Sequence, residues 1–391
     1  MPFGDAPFGF FVFWISWSLM RILLFVSLAM IAQSEVLLTH TEVFQAGVGG
    51  YHAYRIPTIL STSNGALLAF AEARRDSRGD PGQGDIDLVM SRSTDQGKTW
   101  SAMQVIDDPG EKWAASNPTP LLDRTNQRVW IFFNRWEPGF GEEKSQPGTT
   151  NNQMWARSSD DNGLTWSAPR DLTRVSRDYD NWGGMFLGPG GAIQMKSGRL
   201  LLPAAMKADA FSVQATVGSF TGSLGLMRAY VIYSDDHGQS WKRGTLVPAL
   251  TNENQLVELA DGKLLMDARQ NNGDHRWFIT STDGGQTWLR PRIGIAVTPV
   301  ATGIERFGKT LLWSGPALAN RQKLVIRVSE DEGQTWSRER VVYGGFAAYS
   351  DLTILADSTI GILWERGSTE GYQSITFTRL NRDFLNAPLG Q

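Results

Sequence analysis

The chain predicts an all-β fold, a six-bladed β-propeller. Three observations carry it: a recurring Ser-x-Asp-x-Gly-x-Thr/Ser-Trp motif, the spacing of its five copies, and a composition rich in turn and aromatic residues. The copies run Ser93–Trp100, Ser159–Trp166, Ser234–Trp241, Ser281–Trp288 and Ser329–Trp336. Asp followed by Gly is turn chemistry, because the Asp side chain caps backbone N–H groups and Gly supplies positive φ. The Trp gives each turn a large apolar anchor. Strand-like residues precede several copies, as in Asp87-Leu-Val-Met-Ser91 and Tyr230-Val-Ile-Tyr233, so each copy reads as the turn of a β-hairpin.

Successive motif tryptophans are 66, 75, 47 and 48 residues apart. The shorter intervals suit one four-stranded blade and the longer ones a blade with an insertion. Residues 35–391 then supply roughly sixty residues per blade for six blades, and spacing alone also accommodates seven. No low-complexity linker interrupts the repeats, which favours one radial domain over two. The 41 glycines and 15 tryptophans fit a turn-rich β protein.

The N-terminus reads as a separate object. Phe8 to Ala32 is almost continuously apolar, broken by Arg21 and a few serines. One reading is an anchor long enough to span a bilayer. The other starts at Met20, with Arg21 as the charged n-region, Ile22–Ile31 as the apolar h-region and Ala32-Gln33-Ser34 as a small-x-small cleavage site, which makes 1–19 an upstream extension. The expectation adopted is a leader over 1–34, a catalytic propeller over 35–391 and a secreted or periplasmic protein, with no membrane span in the mature chain.

Net charge is −3, so there is no bulk basic signal for nucleic acid, and anion recognition falls to local arginines. Absence of cysteine excludes disulfides, thiolate metal sites and a thiol nucleophile. The four histidines, His40, His52, His237 and His275, lack metal-ligand spacing, so neither metal nor cofactor is expected. Loop aspartates leave an oxygen-ligated calcium open.

The chemistry begins at Tyr54-Arg55-Ile56-Pro57. An arginine inside an apolar strand must meet an anion or reach a cleft, because an unpaired buried charge is too costly. The neighbouring strand ends in Glu72-Ala73-Arg74-Arg75, followed by a Gly-rich loop over 76–84 that holds Asp76 and Asp80, with Asp85 and Asp87 close by. Together these suggest a rim of arginine and carboxylate at one end of the propeller. Ordinary surface ion pairs are the alternative for any one of them.

Tyr54-Arg55-Ile56-Pro57, then Glu72-Ala73-Arg74, an Asp six residues beyond that Arg, and the set of Asp boxes together resemble the exo-sialidases, in particular the bacterial secreted and mammalian lysosomal-type members. The similarity runs from about Val36 to Thr378. The boxes alone also recur in non-enzymatic propellers; the ordered combination with the arginine motifs is what carries the resemblance. It implies that Glu253, in Asn252-Glu253-Asn-Gln255, is a catalytic glutamate, and that Arg269 in Asp267-Ala268-Arg269 and Arg321 are the second and third arginines. Tyr349 in Ala348-Tyr349-Ser350-Asp351 matches the nucleophile motif, and Glu365 a carboxylate that steadies Arg55. Asp80 falls at the acid/base position and Arg74 at a substrate contact near the 4-hydroxyl, with Arg75 as its alternative. Glu258 is read as a solvent-facing strand residue and Arg327 as structural. Trp182 is either a lining residue or core, and Gly191 stands where the family commonly has histidine.

The set makes chemical sense. Sialic acid carries a carboxylate on its anomeric carbon, which Arg55, Arg269 and Arg321 can bind by charge-assisted, partly bidentate hydrogen bonds. A carboxylate nucleophile would approach that group against a repulsion of several kcal/mol at ~3–4 Å, which a neutral tyrosine avoids. The expected activity is retaining exo-α-sialidase hydrolysis of sialylated glycoproteins, glycolipids or oligosaccharides through a tyrosyl intermediate. The alternatives are a glycosidase for a related 2-keto sugar acid such as KDN, an intramolecular trans-sialidase, and a glycan-binding propeller without catalysis.

Overall fold

The computed structural model describes Gly4, Gly9 and residues 35–387, apart from 111, 142, 143, 218, 219, 272, 369 and 370. The expected leader and cleavage site fall outside the described residues. The chain divides into two units, Met1–Glu35 and Val36–Gln391. Among the described residues no helix is long and apolar enough to cross a membrane.

The second unit is built from strands joined in antiparallel order. After β1 (Leu38–Gln45) comes a first set, β2 (Ala53–Ser61), β3 (Leu67–Arg74), β4 (Ile86–Ser93) and β5 (Gln104–Asp107). The second set is β6 (Ala114–Asp123), β7 (Arg128–Trp136), β8 (Asn152–Ser159) and β9 (Arg170–Asp171). In the third, β10 (Met185–Leu187) and β11 (Ile193–Gln194) both pair with β12 (Leu200–Val217), which continues to β13 (Phe220–Ser234) and β14 (Lys242–Arg243). The fourth is β15 (Asn254–Glu258), β16 (Leu264–Arg269), β17 (His275–Ser281) and β18 (Arg292–Ala296). The fifth is β19 (Gly303–Phe307), β20 (Thr310–Leu318), β21 (Gln322–Ser329) and the first part of β22 (Arg338–Ile354). The remainder of β22 pairs with β23 (Ile360–Ser368), which pairs with β24 (Gly371–Leu380), and β1 returns to pair with β24.

The hydrophobic clusters lie between successive sets. Leu68 and Phe70 of the first meet Val129 and Ile131 of the second. Leu121 and Phe132 meet Leu200 and Tyr230 of the third, and Leu201 and Val231 meet Leu256 and Met266 of the fourth. Leu265 and Phe278 meet Leu311 and Val325 of the fifth, and Leu312 and Ile326 meet Ile362 and Trp364 of the last. A sixth cluster joins Leu363 and Phe377 of the last set to Leu67 and Ala69 of the first. This explains strands such as β3, which is buried along its whole length: it has packed neighbours on both faces and so carries no polar alternation.

Each Asp box lies between the last two strands of its set. In the first, Thr99 N and Thr99 Oγ1 donate to Asp95 at 2.9 and 2.6 Å, and Gly97 N donates to Ser93 Oγ at 2.9 Å. These bonds hold Asp95 at a pKa of about 2. Gly97 has φ +81°, and a Cβ there would stand 2.0 Å from Phe377 Cε1 on β24, so the turn approaches the adjoining set closely. The boxes lie at the far ends of these strands from the arginine motifs.

Antiparallel pairing brings the start of each first strand beside the end of the second. Arg55 opposes Glu72, and Asn254 opposes Ala268. Residues scattered over more than 300 positions of sequence thereby gather at one end of the sets.

Candidate active site

Arg55 enters on β2, where the ladder slips between Arg55 and Thr58. Ile56, which precedes Pro57, takes φ +56°, a conformation that costs a β-branched residue on the order of 1–3 kcal/mol. Glu365 on β23 is fully buried and holds this irregular segment. Its Oε1 accepts from Arg55 Nε at 2.6 Å and Ile56 N at 3.0 Å, while Oε2 accepts from Tyr349 N at 3.1 Å. Burial works against the charge of Arg55, and Glu365 outweighs it, raising the guanidinium pKa.

Tyr349 sits on β22, 6% exposed. Its hydroxyl donates to Glu253 Oε2 at 2.9 Å and accepts from Arg269 Nη1 at 2.9 Å. Arg269 Nη1 also donates to Glu253 Oε2 at 2.5 Å. The guanidinium carbons of Arg55 and Arg321 each lie 5.6 Å from the centre of the Tyr349 ring. Three arginines thus converge on one tyrosine that is hydrogen-bonded to one glutamate. Burial, with the Glu253 charge adding to it, pushes the Tyr349 pKa well above its ordinary value, and the arginines oppose this. The hydroxyl is therefore neutral at rest.

Arg321 occupies a turn between β20 and β21 with φ +58°, fixed by Ala347 N donating to its carbonyl at 2.8 Å. Its Nη1 donates to Tyr372 Oη at 2.5 Å, and Arg55 stacks over the Tyr372 ring at 3.8 Å. Tyr372 was not singled out by the sequence: it belongs to no motif, and only its neighbours in space mark it.

Asp80 stands apart from this core. Its side chain is 75% exposed and is held by Arg74 Nη1 at 3.0 Å. Arg74 is itself buried, with Nε and Nη2 on Glu72 at 3.0 and 2.6 Å and Nη1 also on the Arg78 carbonyl at 2.6 Å. Arg74 therefore tethers the Asp80 loop to β3. Arg75 turns elsewhere, pairing with Asp85 and Asp87. Of the nearby aspartates, Asp80 is the one on Arg74, as the six-residue offset anticipates.

A BNR repeat-like domain matches residues 65–362 of this chain. Over 88% of its length the chain is 32% identical to a sialidase of Micromonospora viridifaciens, covering 55% of that protein. The chain belongs to the sialidase family. A sialidase of Bacteroides fragilis is 31% identical over 83% of this chain and 62% of its own length. The chain thus spans between half and two thirds of these two relatives. Among solved structures, the Hadza microbial sialidase Hz136 superposes with a TM-score of 0.78 at 28% identity, covering 89% of this chain and 69% of that one. The intramolecular trans-sialidase of Ruminococcus gnavus, solved with oseltamivir carboxylate, reaches 0.75 at 19% identity over 89% of this chain and 98% of its own, a likeness of fold alone. The all-β fold is that of the sialidases, which are β-propellers.

Within the sialidase frame the remaining residues find places. Trp182 packs on the second-to-third-set cluster, edge-on to Tyr230 at 5.3 Å, which is the core alternative. Arg327 pairs with Glu339, as a structural residue does. Glu258 is partly exposed; it accepts from Lys196 N at 2.9 Å and lines an open cavity of about 600 Å³ at the opposite end of β15 from Glu253. Gly191 has φ +63°, and a Cβ there would lie 2.5 Å from the Gln255 side chain, so no histidine fits.

Proposed function

We propose that this chain is a retaining exo-α-sialidase that removes terminal sialic acids from glycoproteins, glycolipids or oligosaccharides through a tyrosyl-enzyme intermediate. The observation that carries the reading is the Tyr349 hydroxyl bonded to both Glu253 and Arg269, with Arg55 and Arg321 flanking its ring. Arg55, Arg269 and Arg321 bind the substrate carboxylate and set the anomeric carbon over Tyr349. Glu253 accepts the phenolic proton as Tyr349 Oη bonds to that carbon, because a tyrosine of raised pKa needs a base in contact. Asp80 gives a proton to the leaving glycosidic oxygen. In the second half Asp80 takes a proton from water, which attacks the same carbon, and Tyr349 Oη leaves and recovers its proton from Glu253. Two displacements retain configuration, with a tyrosine in the place that a carboxylate nucleophile takes in most retaining glycosidases. The chemistry uses only protein side chains and water.

A purely glycan-binding propeller has no use for a base in hydrogen-bond contact with the tyrosine. The cluster that joins the last set to the first, the return of β1 to β24 and the contact of Gly97 with Phe377 support six blades closed in a ring. Export by the leader, to the exterior or the periplasm, completes the reading. The test is cleavage of a sialyl-lactose, whose leaving group needs the proton, by the full-length chain beside Tyr349→Phe and Asp80→Asn. Release by the wild type with large losses in both variants supports the assignment. A folded wild type that releases nothing contradicts it, and product analysis separates free sialic acid from an intramolecular transfer product.

A further inference from the structure

Two guanidinium groups aimed at one carboxylate repel each other when the site is empty, so each needs a partner that holds it in place. Arg55 has Glu365 behind it, and Arg269 has Glu253. Among the described residues Arg321 has no such carboxylate; its Nη1 bonds instead to the Tyr372 hydroxyl at 2.5 Å, and its Nη2 lies 3.5 Å from the Pro299 carbonyl. The face of the same Tyr372 ring receives Arg55 at 3.8 Å. One side chain therefore touches two of the three arginines, one through its lone pair and one through its π face.

The ring is itself held in place. Phe346 meets it edge-on, with centroids 5.2 Å apart and planes at 88°. Phe346 lies beside Ala347, whose N–H fixes the Arg321 carbonyl, so the support of the ring and the support of the arginine come from one stretch of β22. Gly367, opposite Tyr372 in the β23–β24 ladder, leaves room for this: a Cβ there would stand 2.8 Å from Phe346 Cδ1 and 2.1 Å from the Gly371 carbonyl oxygen. The Tyr372 hydroxyl is bonded to a cation rather than to a carboxylate, so unlike Tyr349 it has no base.

We propose that Tyr372 is a positioning residue of the carboxylate subsite, orienting Arg321 through its hydroxyl and Arg55 through its ring so that both forks face the substrate carboxylate, without adding an anion of its own. The inference rests on the reading of the site as a sialoside carboxylate pocket. A glutamate at this place would hold both arginines but would offer them a competing anion. Phenylalanine would keep the stack on Arg55 and release Arg321.

The experiment measures kcat and KM for a fluorogenic sialoside, and binding of 2-deoxy-2,3-didehydro-N-acetylneuraminic acid and its methyl ester by calorimetry. It uses the full-length wild type, Tyr372→Phe and Tyr372→Ala. Loss of a hydrogen bond to a charged group predicts that Tyr372→Phe raises KM and the Kd of the acid by roughly ten-fold or more, with kcat within about three-fold and the melting temperature unchanged. The methyl ester, which offers no charge to Arg321, should bind wild type and Tyr372→Phe alike. Tyr372→Ala, which also removes the stack, should weaken binding of the acid further. Equal KM and Kd for wild type and Tyr372→Phe overturn the inference while leaving the sialidase reading intact. Equal losses for acid and ester overturn it too, since they mark general disturbance of the pocket. A wild type that neither turns over the sialoside nor binds the acid overturns the reading of the site itself.

Discussion

Glu365→Gln is the perturbation that reaches deepest into the site without touching substrate. The wild-type carboxylate is fully buried and accepts three bonds, from Arg55 Nε, Ile56 N and Tyr349 N. Glutamine keeps the shape but has one acceptor oxygen. Turned so that its oxygen stays on Arg55 and Ile56, it presents its NH2 to the Tyr349 N–H, donor against donor. It also leaves Arg55 without a countercharge in an environment where 8% of the side chain is exposed. Breaking a buried pair in this way costs about 3–5 kcal/mol. The strained Ile56 backbone, held by the same carboxylate, loses a restraint at the same time. A shift of the tyrosine or of Arg55 by about 1 Å is enough to cost ~100-fold in rate. The expected result is a clear fall in melting temperature, together with a drop in kcat/KM of about 100-fold or more on a fluorogenic sialoside. Both are read from one preparation, by scanning fluorimetry and initial rates. If Glu365→Gln melts with the wild type and keeps kcat/KM within about two-fold, Glu365 is not what places Arg55 and Tyr349, and the reasoning fails.

Further outcomes follow from the same geometry. Glu253→Gln also removes the carboxylate that holds Arg269, so it should lower the melting temperature and lose about 10²–10⁴ in kcat, the range of a general base; retention of wild-type kcat would remove Glu253 from that role. Asp80→Asn should lose a comparable factor on a sialyl-lactose but much less on a sialoside with an activated phenolic leaving group, because only the former needs the proton; equal losses on both would argue against general acid catalysis. Gly97→Ala adds a Cβ at φ +81° against Phe377 and should lower stability by roughly 1–3 kcal/mol without changing kcat, as thermal melts and rates on the folded enzyme can check. Burial pushes the Asp351 pKa up to about 7, so the folded protein keeps a proton that the unfolded chain releases near the ordinary carboxylate value. Stability should then decline as pH rises from about 4 to 7, and Asp351→Asn should flatten that slope; parallel pH profiles for the two proteins would contradict it.

The repeat and the site differ in how far they can be read from residues alone. An Asp box is local: Ser93, Asp95, Gly97 and Thr99 bond to one another, so the motif announces its own turn. Arg55, Glu253, Arg269 and Tyr349 are each flanked by distinctive neighbours in the sequence, and the structure brings the four side chains together. Tyr372 has no such frame. Its place comes from the fold: β24 lies next to β23 and, through the cluster shared by the last and first sets, near β2, which sets Tyr372 against an arginine more than 300 residues away. The part played by Arg74 was equally hidden. Its sequence frame shows an arginine at a strand end, while its burial and its bonds to Glu72, Arg78 and Asp80 make it a tether for a loop. Trp182 illustrates the converse: its type suits a sugar pocket and the core equally, and only the contact with Tyr230 decides.

The most direct test of the central claim is to trap the enzyme with a 2,3-difluorinated sialyl fluoride and map the labelled peptide by mass spectrometry. The account predicts one sialyl adduct, carried on Tyr349 and absent from Tyr349→Phe. An adduct on Tyr372 or on Glu253, or turnover with inversion and no adduct, would contradict it.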